Sequence, residues 1–192
     1  MTIPTYLQHL VFEVSDFGTP EFCDQIIGRA NEIGFSSATI TTERGTSVAQ
    51  EIRNNDRVIF DDPELANALW RKADPLFSNS FKGHRAVGLN ERFRVYRYGA
   101  DQFFDWHQDG EFQASTGHRS MFTMMMYLNE GCEGGGTSFA DVFSPHVFND
   151  FTIAPKTGKA LFFNHPLSHR GDPVTSGEKF VLRTDVMFEK AA

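Results

Sequence analysis

The sequence predicts an α+β fold, mainly β: a double-stranded β-helix, or jelly roll, flanked by N-terminal helices. Three observations carry this expectation. Apolar residues at helical spacing are confined to the first half of the chain; from Arg92 onward, short segments rich in β-branched and aromatic residues follow one another; and Gly, Asp and Pro separate those segments. No internal repeat, low-complexity run or Pro/Gly/Ser linker divides the 192 residues, so they read as a single domain, 1–192. Within it, 1–90 is expected to supply helical support and flanking elements, and 91–190 the jelly-roll core.

The helices are read from their ends inward. Thr19-Pro20-Glu21 is a helix start with Pro at the first helical position; Phe22, Ile26, Ile27, Ala30 and Ile33 form an apolar stripe, and Gly34 is the stop. Asp62-Pro63-Glu64 repeats the start signal, Leu65, Leu69, Trp70 and Ala73 give the stripe, and the helix ends near Pro75. The strands are Phe93 to Tyr98, Met121 to Leu128, Thr137 to Phe143, Lys159 to Phe163 and Lys179 to Phe188. Met121 to Leu128 is apolar on both faces apart from Thr123 and Tyr127. It is expected to have helices on one side and the sandwich interior on the other, with Met124 to Met126 as core.

Composition narrows the functional classes. A net charge of −7 and a pI near 5.4, with no dense Lys/Arg cluster, argue against a nucleic-acid partner. The nearest basic groups, Arg53, Arg57, Arg92, Arg94 and Arg97, read as solvated strand edges. Two cysteines, Cys23 and Cys132, do not make a disulfide framework, and no apolar run approaches the roughly 20 residues of a membrane span. A soluble cytoplasmic protein without a membrane partner is expected.

The chemistry concentrates in two places. In Trp106-His107-Gln108-Asp109 the His and Asp stand two apart, so on a strand both project from one face and can grip the same ion. About sixty residues later comes Ser168-His169-Arg170-Gly171-Asp172-Pro173-Val174, with Lys179 ten residues past His169. Two histidines and one carboxylate make a facial triad, which leaves three positions of an octahedral iron open.

This order of His-x-Asp, His and Lys resembles the 2-oxoglutarate-dependent Fe(II) dioxygenases, in particular their prolyl 4-hydroxylase-like branch. Tyr98-Gly99-Ala100-Asp101-Gln102-Phe103-Phe104 is similar to the family's Tyr-x-Pro-Gly-Gln approach to the first ligand. Tyr127-Leu128-Asn129-Glu130 and Glu133-Gly134-Gly135-Gly136-Thr137-Ser138-Phe139 are similar to its Tyr-Leu-Asn strand end and Gly-Gly-Glu-Thr-x-Phe turn, and Ala160-Leu161-Phe162-Phe163 fits ahead of the distal His. The likeness runs from Arg92 to Phe188. Ala100 and Asp101 depart from Pro-Gly, and Gly136 from Glu, which leaves the shapes of those two turns open.

The resemblance implies a hydroxylase in which His107, Asp109 and His169 hold Fe(II), with 2-oxoglutarate and O2 as cosubstrates and ascorbate as a further candidate. Asp109 favours hydroxylation over halogenation, since halogenating relatives replace this carboxylate with a small residue. His165 is the rival for His169, and His118 and His146 are further histidines on offer. Lys179 is the expected partner of the distal carboxylate of 2-oxoglutarate and Arg183, four residues along the same strand face, its rival. Tyr98 and Tyr127 are expected to add phenolic hydrogen bonds.

Arg53, Asn55 and Arg57, alternate positions of an extended segment, are candidates to read a carboxylate or backbone amide of the substrate. That substrate is expected to be a prolyl residue of a protein or peptide, or another amino-acid-like compound, with release of succinate and CO2. Two alternatives stand beside it: the same chemistry on a free small metabolite, and a non-catalytic, metal-binding jelly-roll or cupin-like protein.

Overall fold

A computed structural model describes residues 3–42, 45–47, 49–140 and 150–191. Along the chain run β1 (Val11–Val14), α1 (Pro20–Ile33), β2 (Ser36–Ser37), β3 (Ile40–Thr42), β4 (Gly45–Ser47), β5 (Asp56–Asp61), α2 (Pro63–Ala73) and β6 (His84–Leu89). There follow β7 (Arg92–Tyr98), β8 (Phe104–His107), β9 (Arg119–Tyr127), β10 (Glu133–Gly134), β11 (Thr137–Phe139) and β12 (Phe151–Ile153). The last four are β13 (Ala160–Asn164), β14 (His169–Gly171), β15 (Val174–Ser176) and β16 (Lys179–Lys190).

Both helices begin where their capping chemistry says. Thr19 Oγ1 accepts from Phe22 N at 3.2 Å and Asp62 Oδ1 from Leu65 N at 2.8 Å, each satisfying an amide that the first helical turn leaves open. Gly34, at φ 92°, ends α1 in a conformation a side chain would resist. The buried stripe of α1 is Cys23, Ile26 and Ala30, whereas Ile33, the last residue of the expected stripe, is exposed. Pro75 does not stop the chain abruptly: Asp74–Phe77 continues as a 3₁₀ turn that delivers Phe77 onto the edges of Phe122, Phe162 and Phe188.

The major sheet has the order β1-β13-β9-β16-β7-β5-β2, with β6 also paired to β16; the minor sheet has the order β12-β11-β14-β8. Two face-to-face sheets make the jelly roll. Because strand side chains alternate, the major sheet divides its residues between two cores. Phe122, Met124, Met126, Leu182, Val186 and Phe188 pack under the helices, whereas Met125, Tyr127, Leu161, Phe163 and Val181 point into the space between the sheets. Met124 to Met126 are core, on alternating faces of β9.

The N-terminal half does more than support. β1, β2, β5 and β6 are integral strands of the major sheet, so residues 91–190 do not close the sandwich alone. Of the expected strand Thr137 to Phe143, residues 137–139 form β11, and residues 141–149 lie outside the described residues.

Candidate active site

β8 and β14 pair with His107 opposite His169, which brings the two imidazoles side by side with ring centroids 4.2 Å apart. Asp109 follows two residues after His107, its carboxylate 3.9 Å from His107 Nε2 and 3.7 Å from His169 Nε2. One ligand atom from each of the three residues lies within 4.8 Å of the others. The rings are aimed by their far nitrogens: His107 Nδ1 donates to the Asp105 carbonyl at 2.7 Å and His169 Nδ1 to the Leu167 carbonyl at 2.9 Å. That tautomer leaves each Nε2 lone pair directed at the common centre.

Electrostatics keep all three groups in their metal-binding forms. Burial, reinforced by the neighbouring His169, holds the His107 pKa down at about 3, and burial likewise lowers His169, so both imidazoles are neutral. Burial alone would raise Asp109, but Arg183, the two histidines and the Thr123 hydroxyl more than offset it and hold the carboxyl below its ordinary range. Thr123 Oγ1 donates to Asp109 Oδ2 at 2.5 Å, and Arg183 Nη2 lies 3.1 Å from Oδ1. An oriented set of two neutral imidazoles and one carboxylate, with one open side, fits a divalent iron.

A cavity opens on this side; Tyr98, His107, Asp109, His169, Lys179 and Arg183 are among its walls. The Lys179 side chain, buried at 2% exposure, donates to the Gly135 carbonyl at 2.8 Å and places its ammonium 4.1 Å from the Tyr98 ring centroid. Burial pushes its pKa down to about 8. A Cβ built on Gly171 would stand 3.6 Å from the Tyr98 hydroxyl and 3.8 Å from Lys179 Nζ, so phenol and ammonium converge on one point. Burial pushes Tyr98 up to about 12, which keeps it a neutral donor. Arg183 is engaged differently, by two carboxylates, Asp109 and Asp185, at 3.1 and 3.2 Å.

Several expected residues sit elsewhere. Tyr127 is fully buried, its hydroxyl 2.7 Å from Thr137 Oγ1 and 3.0 Å from the Ile153 carbonyl, so it reaches the cavity only through Thr137. Arg53 is no solvated edge: at 4% exposure its guanidinium is layered between Phe104 and Tyr96, at 4.2 and 4.5 Å from their ring centroids, and Nε donates to Asn55 Oδ1 at 2.7 Å. Asn55 is wholly buried and positions Arg53, while Arg57 turns away to donate to Thr39 Oγ1 at 3.0 Å. His165 lies 3.7 Å from Asp185, outside the ligand group, and His118 lies 3.7 Å from Glu189. His146 lies outside the described residues.

The two departures from the family's turn patterns also resolve. Asp101 adopts φ 62°, the left-handed region that favours the missing glycine. At Gly136 a Cβ would meet Thr152 Cγ2 at 2.5 Å and Asp172 Oδ2 at 3.2 Å, so a glutamate there would force Thr152 to shift, and Asp172 accepts from Ser138 Oγ at 2.7 Å beside it. Residues not nominated from sequence complete the site: Thr123 and Asp185 behind the ligands, Phe104 stacked 3.5 Å from His107, and Thr137 and Tyr96 on the cavity wall. The available signal was alternation, since Tyr96 precedes Tyr98 by two and Asp185 follows Arg183 by two.

Residues 93–184, which carry all three ligands and Lys179, match the description 2OG-Fe(II) oxygenase superfamily. These residues belong to that superfamily. An Acanthamoeba polyphaga mimivirus protein, described as a candidate prolyl 4-hydroxylase, is 29% identical over 195 residues, which cover 88% of this chain and 71% of the viral protein. Two solved structures share the fold. A Pseudomonas putida prolyl-4-hydroxylase superposes with a TM-score of 0.70 at 18% identity, covering 94% of each chain. A Trichoplax adhaerens prolyl hydroxylase, in complex with a hypoxia-inducible factor oxygen degradation domain peptide, does so with a TM-score of 0.67 at 16% identity, covering 94% of this chain and 86% of its own. The matched segment carries a likeness to the prolyl 4-hydroxylase-like branch of that superfamily, whose members use Fe(II), 2-oxoglutarate and O2. No helix among the described residues is long and apolar enough to cross a membrane.

Proposed function

We propose that this oxygenase hydroxylates an unactivated carbon of a prolyl or other amino-acid-like substrate, with His107, Asp109 and His169 as iron ligands and Lys179 as the anchor of 2-oxoglutarate. One observation carries the reading: three neutral or anionic ligand atoms and a buried, weakly engaged ammonium share a single cavity. When bound, the iron supplies activation of O2, coupled to conversion of 2-oxoglutarate to succinate and CO2. The protein's own residues do the rest. The Nδ1 hydrogen bonds fix both imidazoles, Thr123 and Arg183 hold the Asp109 carboxylate, and Phe104 and Phe163 pack against the imidazoles.

Lys179 ranks above Arg183 as the anchor because its hydrogen-bond partner is a neutral carbonyl, whereas two carboxylates already occupy Arg183. Tyr98 donates alongside Lys179, and Tyr127 acts through Thr137. Arg53, positioned by Asn55, is the substrate-side cation of its segment; Arg57 supports the adjoining strand through Thr39. A purely structural metal would require no buried lysine facing it. The same reading takes the protein as cytoplasmic, in keeping with the unpaired Cys23 and Cys132.

The test is succinate formation by protein reconstituted anaerobically with iron and then given oxygen, assayed across peptides and free amino acids. Stimulation by one of these, abolished in His107→Ala, is the expected result. Absence of both 2-oxoglutarate binding and iron-dependent succinate in folded protein removes the proposal.

A further inference from the structure

On the inner face of the major sheet, register places Arg94 of β7 directly opposite Arg183 of β16, and Tyr96 opposite Arg57 of β5 on one side and Val181 on the other. Arg53 lies over the Tyr96 ring from the other side. Four guanidiniums therefore gather around one phenol. Arg57 is pushed down chiefly by burial, with Tyr96 opposing the shift and Arg53, Arg94 and Arg183 adding to it. Burial would raise Tyr96, but Arg183, Arg53 and Arg94 bring it down to about 8.

The carboxylates facing this cluster are Asp109 and Asp185. Asp185 lies 3.7 Å from Arg94 Nη1, beyond hydrogen-bond range, and 3.2 Å from Arg183. Four cations against two anions leave two positive charges, and adding a divalent iron together with a 2-oxoglutarate dianion leaves that balance unchanged. The surplus is accompanied by open donors: Arg53 Nη2, Arg94 Nη1 and Arg183 Nε are buried and have no hydrogen-bond acceptor among the described residues. Arg183 stands on the wall of the iron cavity and Arg94 on that of a neighbouring depression, and buried donors of this kind are costly unless a ligand satisfies them.

Resting on the oxygenase reading, we propose that Arg53 and Arg94, arrayed around Tyr96 and joined by the one free N–H of the otherwise occupied Arg183, form a second anion site that holds the substrate's own carboxylate. The substrate class is then a small free carboxylic acid of the amino-acid type, as opposed to a mid-chain residue of a polypeptide. Position supports this choice. Arg183 touches the iron ligand Asp109 at 3.1 Å, and Tyr96 shares the cavity wall with His107 and His169. A carboxylate held beside Arg183 and Tyr96 is next to the ligand group, a proximity that suits a substrate whose carboxylate stands close to its reacting carbon, as in a single amino acid. The planar guanidiniums favour a bidentate oxyanion, and Lys179, at the far end of the same strand face, stays free for the cosubstrate.

The test uses full-length protein loaded with zinc in place of iron and saturated with 2-oxoglutarate, so that binding is read without turnover. Acetate, the fragment common to all carboxylic acids, is compared with acetamide at matched ionic strength by thermal shift. A panel of free L-amino acids is then titrated calorimetrically against their primary amides and an acetylated, amidated proline-containing peptide. Acetate is expected to raise the melting temperature where acetamide does not, and the tightest free acid to bind at least tenfold better than its amide. Arg94→Gln, at a partly exposed side chain, should remove the acetate shift and weaken the acid at least tenfold with 2-oxoglutarate affinity unchanged within twofold; Arg53→Lys provides a second variant should the first be unstable. No acetate shift, equal binding of acid and amide, preference for the blocked peptide, or loss of 2-oxoglutarate affinity in Arg94→Gln would each overturn the site. Failure of 2-oxoglutarate to bind wild-type protein would instead strike the oxygenase reading.

Discussion

Replacing Lys179 by Met keeps the length of the side chain and removes its charge. In the structure that charge faces the Gly135 carbonyl and the Tyr98 ring, with no carboxylate within ion-pair distance among the described residues. A charge-assisted hydrogen bond to a carboxylate contributes about 1.5–3 kcal/mol, so 2-oxoglutarate affinity should fall by about 10- to 100-fold. Iron affinity should change little, because Lys179 touches none of the ligands. A pH series sharpens the test. With its pKa lowered from 10.5 to about 8 by burial, the empty site is charged below pH 8 and neutral above it. The dissociation constant of 2-oxoglutarate is therefore expected to be flat up to about pH 8 and to climb about tenfold per unit beyond it. In Lys179→Arg the climb should disappear, since guanidinium stays protonated. Because the folded pKa is depressed, the unfolded chain binds the extra proton between about pH 8 and 10.5, and the unliganded protein should gain stability across that window. Equilibrium binding to zinc-loaded protein reads the affinity directly. A wild-type profile flat to pH 10, or a Lys179→Met variant with unchanged affinity, would show that the anchor lies elsewhere, with Arg183→Ala as the next variant to assay.

Other consequences are equally open to measurement. His107→Ala, Asp109→Ala and His169→Ala should each eliminate tight iron binding and turnover with circular dichroism unchanged, whereas His165→Ala should be much milder; the opposite order for the last two would move the ligand to His165. Arg53→Ala should leave substrate-independent decarboxylation of 2-oxoglutarate intact and abolish its stimulation by substrate, while Arg57→Ala, whose side chain is spent on Thr39, should have a smaller effect, both read as succinate produced with and without substrate. Tyr96 should appear as a phenolate absorbance step near pH 8 that Tyr96→Phe removes and Arg94→Gln shifts upward. Gly136→Glu should lower the melting temperature, because its Cβ would approach Thr152 Cγ2 to 2.5 Å; an unchanged melting curve would refute the packing argument.

What could be read from the sequence was whatever depends on neighbours along the chain. Thr19 and Asp62 announce their helices through a hydroxyl and a carboxylate that cap within three residues, and His107 and Asp109 share a face because strand side chains repeat every two. Long-range pairing was less legible. β1 and β6 are short, and what makes them strands is pairing with β13 and β16 far along the chain. Arg53 looked like a surface charge because composition cannot tell a guanidinium in water from one layered between Phe104 and Tyr96. Tyr127 misled for the opposite reason: the strand places it on the inner face as expected, but Thr137 and Ile153 lie closer to its hydroxyl than the cavity does.

β16 runs through the middle of the major sheet, paired with β9 on one side and with β7 and β6 on the other. Its inner face presents Lys179, Val181, Arg183 and Asp185 in succession, while its outer face holds Leu182, Val186 and Phe188 in the helix-covered core. A slip of one residue would exchange these two faces wholesale. The strand thus acts as a ruler, fixing the separation between the cosubstrate end and the substrate end in units of the strand repeat. Reshaping specificity by altering that spacing would require the whole sheet to be rewritten, whereas the surrounding loops can vary without disturbing the scale against which both molecules are measured.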